Sequence, residues 1–163
     1  MKITRKGGER AAITATVKAL GNAEGKVGWF ESARYEGGQP VAGVAFVQEH
    51  GSPKHSIPAR PFMRPTAAEK SESWAKTAAG LSRAAMRGEI APDAVMEGLA
   101  LAAEGNVRVA ITKLTAPALS PKTVAARKRR LANKGKGAKA SIAKPLVDTG
   151  LMLATLTSQV TKK

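Results

Sequence analysis

Apolar positions in this chain recur at helical spacing over most of its length and at strand spacing only in short pieces. Residues 8 to 20 are alanine-rich and place Ile13, Val17 and Leu20 at i, i+4 and i+7, which predicts a short helix closed by Gly21. Ile13, Ala15 and Val17 also alternate with Thr14 and Thr16, so a strand fits the same residues. Lys26 to Phe30 predicts a short strand, Tyr35 to Gln39 a glycine-rich turn, and Pro40 leads into a helix from Val41 to His50 that ends at Gly51. From Gly51 to Arg60 the prolines and the missing apolar period predict a surface connection.

Two longer helices follow. Pro61 and Pro65 are tolerated around the first turn of one, whose Trp74, Ala78, Leu81 and Ala85 form a stripe running down to Arg87-Gly88. Pro92 and Asp93 open the next, with the stripe Met96, Leu99, Ala103, Val107, Ala110, Leu114. Together they predict a hairpin that supplies most of the core, with Trp29, Phe30, Phe46, Phe62 and Trp74 as core aromatics. Gly98 and Gly105 inside the second helix cost about 1 kcal/mol each, unless they serve close packing. Ser120-Pro121 caps a helix to about Asn133, and residues 134 to 141 form a basic low-complexity loop. Asp148-Thr149 can cap a last turn or two before a terminal strand. The expectation is an α+β fold: a helix hairpin packed on a small antiparallel sheet, with a basic extended loop and a C-terminal strand. It is expected as a single domain over residues 1–163, with a basic helix-loop extension at about 117–145.

Composition sharpens this picture. Of 163 residues, 31 are alanine and only 31 are Leu, Ile, Val or Phe, so the aliphatic core must be thin. No run approaches the ~18 apolar residues of a membrane span, and the first residues lead into no signal-peptide apolar region. With no cysteine, disulfides, cysteine-ligated metals and thiol catalysis are excluded. The 27 Lys and Arg against 12 Asp and Glu leave a net charge of +15, which calls for a polyanionic partner or an assembly that neutralises it.

That charge is unevenly placed. Between Glu104 and Asp148 no acid occurs, while Arg108, Lys113, Lys122, Arg127, Lys128, Arg129, Arg130, Lys134, Lys136, Lys139 and Lys144 all fall there. Such a run is either a solvated extension or a surface for nucleic-acid phosphates or acidic subunits. It lacks the interleaved aromatics of a base-stacking platform. Catalytic motifs are not found. Gly21 to Val27 has one residue too few for a phosphate loop, and Val27 stands where a Ser or Thr is needed. Glu49, His50 and His55 can be drawn as a metal site, but the intervening Gly-Ser-Pro break favours surface histidines. No cofactor and no enzyme activity are expected.

Ile57-Pro58-Ala59-Arg60-Pro61-Phe62-Met63-Arg64-Pro65 combines three prolines, two arginine forks and an apolar anchor. Its plain reading is a rigid lead-in to a helix, and its functional reading is docking onto another subunit through Ile57, Pro58, Arg60, Pro61, Phe62 and Arg64. At these residues the chain resembles the tail-completion, or virion-morphogenesis, proteins of tailed bacteriophages. Three pieces in the family's order carry the likeness: Val41 to Gly51, ending in Glu49-His50-Gly51; Ile57 to Pro65; and Ala116 to Thr123 followed by Lys144-Pro145-Leu146-Val147-Asp148-Thr149-Gly150-Leu151. Here His50 stands where the family more usually has an aromatic, and the likeness spans about residues 26 to 160. The resemblance implies a mixed α/β, non-catalytic virion subunit assembled in the host cytoplasm. It would form a homo-oligomeric, often hexameric, ring at the head-to-tail junction, beside connector, neck or tail-tube subunits and around the genomic DNA. In that setting Lys122, Arg127, Lys128, Arg129, Arg130, Lys134, Lys136, Lys139 and Lys144 would meet DNA or acidic neighbours. The alternative is a free-standing basic protein that binds nucleic acid without sequence specificity. Neither reading involves a membrane.

Overall fold

The structure, a computed structural model, describes residues 7–133 and 142–162. The order of elements is α1 (Gly7–Asn22), β1 (Ala23–Gly28), α2 (Val41–His50), α3 (Met63–Met86), α4 (Ala94–Lys113), α5 (Pro121–Asn133), α6 (Leu151–Ala154) and β2 (Thr157–Lys162), with a 3-10 turn at Pro53–His55. Helices packed on a two-stranded antiparallel sheet of β1 and β2 make it an α+β fold. No described helix is long and apolar enough to cross a membrane. The chain resolves into two compact units. The first gathers the N-terminal residues to Val27, Glu69–Gly105 and the strand from Thr157; the second holds Gly28–Ala68 and Asn106–Leu156.

In the first unit α1 settles the helix-or-strand alternative as a helix, and it runs past Gly21 to Asn22, directly into β1. Two of the three residues of its expected apolar stripe are turned outward, and the third, Leu20, is half-buried. Ile13 and Val17 are exposed, while Thr16 is fully buried and satisfies its hydroxyl on the Ala12 carbonyl at 2.8 Å. The strand starts three residues earlier than its sequence predicts and ends at Gly28. The α3–α4 hairpin forms here. At Gly98 a Cβ would stand 2.9 Å from Leu81 Cδ1, so this glycine permits close helix contact, whereas Gly105 has open space around it. The α4 stripe differs from expectation: Val95, Ala100, Val107 and Ile111 are its fully buried positions, and only Val107 belongs to the predicted set.

In the second unit α2 follows its predicted bounds. Gly51 takes φ 76°, and its N–H closes the helix on Val47 O at 2.7 Å. The Gly51–Arg60 segment is not the open connection expected of it. Ser52 and Ile57 exchange two backbone hydrogen bonds at 2.8 and 3.0 Å, Arg60 N–H reaches Gln48 O at 2.7 Å, and Arg60 itself is buried. Most of this unit's core comes from outside the hairpin: Val41, Ala45, Phe62, Leu146, Met152 and Leu156, joined by Val107 and Ile111 of α4. Phe62 meets Trp29 edge to face at 5.9 Å, and the Trp29 indole N–H donates to Met152 O at 2.8 Å. Phe46, expected in the core, is 64% exposed and stacks on His50.

Candidate functional site

Glu49 closes the buried side of α2, one turn beyond Ala45 and two beyond Val41. Its carboxylate accepts the N–H groups of Phe62 at 2.6 Å, Met63 at 2.9 Å and Arg64 at 3.1 Å, so it caps the start of α3 from a distant segment. Arg64 adds its Nε at 3.1 Å from the same carboxylate. A helix start presents unpaired N–H donors and the positive end of the helix dipole, and a buried carboxylate meets both needs. Burial by itself would raise the pKa of Glu49. The three backbone N–H groups and Arg64 outweigh it and hold that pKa below the usual value.

Arg60, 4% exposed, spreads its fork over three acceptors: Nε donates to Pro117 O at 2.8 Å, Nη2 to Ala118 O at 3.1 Å and Nη1 to Gln48 Oε1 at 3.0 Å. Arg127 does the same one layer on, donating Nη1 to Lys144 O at 2.7 Å and Nη2 to Pro145 O at 3.1 Å, with Nε 3.3 Å from Asp148 Oδ1. Arg108 is the third such clamp, with its guanidinium on Leu153 O and Leu156 O. Burial first and the neighbouring Arg127 charge second lower the pKa of Arg60, which remains charged. Asp148 is shared, because Arg130 also donates to its Oδ1. Burial and then this carboxylate push the nearby Tyr35 phenol up.

Residues of the expected docking motif therefore divide. Arg60 and Phe62 are buried within the chain and not available for another subunit, since their fork and ring are already engaged. Pro58, Pro61 and Arg64 are exposed, and half-buried Ile57 lines a shallow groove of about 320 Å³ with Val44 and Val47 of α2. The basic set divides too. Arg127 is buried and Arg130 leans on Asp148, because positions three apart share a helix face; Lys122, Lys128 and Arg129 point outward on α5. Lys144 is exposed with its Nζ 3.2 Å from Thr112 O. Lys134, Lys136 and Lys139 lie outside the described residues.

The drawn metal site does not assemble. Glu49 faces backbone N–H groups, His50 turns its ring onto Phe46, and no group of three potential metal-binding side chains occurs among the described residues. Sequence reasoning missed Glu49 as an organising residue and Arg108 as a clamp. The available signal was an acid at the end of a helix, followed by a glycine stop and a proline-rich lead-in to the next helix. What the arrangement does is hold chain segments rigidly together. Comparison of the chain with family models, with curated proteins and with solved structures gives no match.

Proposed function

We propose that this chain is a structural subunit of a tailed-phage particle, a ring-forming neck or tail-completion protein located in the virion. The observation that supports the reading is convergence. The segments carrying the resemblance, scattered from Val41 to Leu151, are cross-linked within the second unit: Glu49 and Arg60 tie Val41–Gly51, Ile57–Pro65 and Pro117-Ala118 together, and Arg127 of α5 holds the stretch from Lys144 to Asp148. In this reading the cluster braces the second unit, while exposed Pro58 and Pro61 and the outer face of α5 are left for neighbours. The test is genetic and structural together. A phage encoding this chain, deprived of it, should accumulate filled heads and tails that fail to join or complete, and its particles should carry a ring of this protein at the neck. Complete, infectious particles made without the protein would refute the reading.

A second reading, non-specific nucleic-acid binding, is favoured by one feature: Lys122, Lys128 and Arg129 stand exposed within a stretch free of acids. Tight, steeply salt-dependent binding of free duplex by the isolated protein would favour it over assembly.

A further inference from the structure

Phe46 stands on the outer side of α2, turned away from the side buried through Val41, Ala45 and Glu49. The ring of His50, one turn on, stacks against it with centroids 4.3 Å apart and planes at 29°. His50 Nδ1 lies 3.1 Å from Phe46 O, and because a carbonyl oxygen only accepts, the ring hydrogen sits on that nitrogen and pins the imidazole in the stack. One face of Phe46 is covered in this way. The residues one turn earlier, Ala42 and Gly43, are exposed and too small to cover the other. Two rings already held together form a surface on which a third flat ring can lie at little further cost in ordering.

By helical spacing Gly43 lies between Phe46 and Val47, and it opens into the groove of about 320 Å³ formed with Gln39, Pro40, Val44, Val47 and Ile57. No charged side chain lines that groove, and exposed Gln39 brings an amide that both donates and accepts. Positive charge stands at the two ends of the helix instead. Arg34, with Nη1 on Gly38 O at 3.1 Å, bridges through its backbone to Pro40 just before α2, and Lys54 follows His50 by four residues. Both are exposed, and neither makes an ion pair among the described residues. The second unit as a whole is biased the same way, with 15 of the 27 Lys and Arg but four of the 12 Asp and Glu. Three of those acids are committed: Glu49 to backbone N–H groups and Arg64, Asp148 to Arg127 and Arg130, and Glu36 to the charge of Arg130, which leaves exposed Glu31. The charge selects a polyanion. An acidic protein segment would leave the ring pair idle, whereas a polyanion that carries flat bases uses both features.

We propose that α2 binds single-stranded nucleic acid: a base stacks on the open face of Phe46 above Gly43, the next enters the groove beside Gln39, and the flanking phosphates reach Arg34 and Lys54. This rests on the nucleic-acid reading and adds the unpaired base as the group that is recognised. Fluorescence anisotropy of the full chain tests it, with a labelled oligothymidylate, an oligouridylate, an abasic strand of the same length and a duplex, each at low and at moderate salt. The two strands that carry bases should bind alike, and the abasic strand and the duplex about tenfold more weakly, the worth of a stacked base. Phe46→Leu, which keeps an apolar side chain at an exposed position, should lose that tenfold on both base-carrying strands and leave the abasic strand unaffected. Phe46→Trp should keep the tight binding, and its added indole emission should be quenched by the strand. Both variants should melt as the parent does. Equal binding of abasic and base-carrying strands, untouched by Phe46→Leu, would overturn the stacking surface and leave the nucleic-acid reading standing, and so would a duplex bound more tightly than either single strand. No binding of any of the four at low salt would overturn the nucleic-acid reading itself.

Discussion

Replacing Glu49 by alanine removes the acceptor of three backbone N–H groups at the start of a 24-residue helix. The Phe62 N–H is buried and has no water to turn to, so it bears a desolvation cost of about 1–3 kcal/mol. The Met63 and Arg64 N–H groups are only partly buried, and water recovers much of what they lose. Losing the favourable charge at the helix start adds about 1 kcal/mol, and up to about 2 in partly buried geometries. The expected total is about 3–4 kcal/mol, a large share of the ~5–15 kcal/mol available to a domain. Glu49→Gln keeps the volume and one acceptor oxygen and should cost roughly half as much. Urea unfolding followed by circular dichroism reads both. Because the folded pKa of Glu49 is held below its unfolded value, its contribution is fully present above about pH 4.3 and falls away as pH drops through the lowered folded value. The alanine variant should lose that part of the acid dependence. A Glu49→Ala protein within about 0.5 kcal/mol of the parent, with an unchanged acid limb, would refute the capping role.

Arg60→Lys should destabilise by about 2–3 kcal/mol in the same assay, because an ammonium cannot span the Pro117 and Ala118 carbonyls as the planar fork does. Reversing Lys122, Lys128 and Arg129 to Glu should leave stability within about 0.5 kcal/mol. If α5 contacts phosphate, the same reversal should flatten the logarithmic salt slope of duplex binding by about 3, one unit for each cation lost. Gly51→Ala should cost about 2 kcal/mol or more, since φ is 76° and the added Cβ would stand 2.7 Å from Ala59 N. Gly105→Ala, in a helix interior with open space around it, should stabilise by up to about 1 kcal/mol; thermal melts of the two variants should move in opposite directions.

Local signals were legible in the sequence where the backbone itself decides. Pro40 and Gly51 bound α2 as expected, because one has no N–H to extend a helix and the other accepts a positive φ. Ser120 caps α5 as its position predicts, taking the Thr123 N–H at 3.2 Å. Side-chain placement was less legible. In helix α4, Ala100, Val107 and Ile111 share one stripe at i, i+7 and i+11, turned about 50° around the helix from the predicted one, so the pattern had the right period and the wrong face. The four consecutive bases from Arg127 read as one surface block only if helical spacing is ignored: 127 and 130 share the side facing Asp148, and 128 and 129 the side facing water. Nothing local announces that Arg60 will cross to Pro117, or Glu49 to the start of α3, because the partners are backbone atoms brought near only by the fold.

The arginine clamps carry a consequence for how substitutions will be tolerated. Arg60, Arg108 and Arg127 each hold two main-chain carbonyl oxygens, and every residue type supplies the same oxygen. Exposed receiving residues are thus freed from side-chain identity: Ala118 or Lys144 can change without loosening the grip, while the arginines cannot. A saturation scan read by stability should find intolerance concentrated at the three donors, beside broad permissiveness at the exposed residues whose carbonyls they hold. Cohesion of this kind leaves little written trace along the chain, since one half of each contact has no spelling.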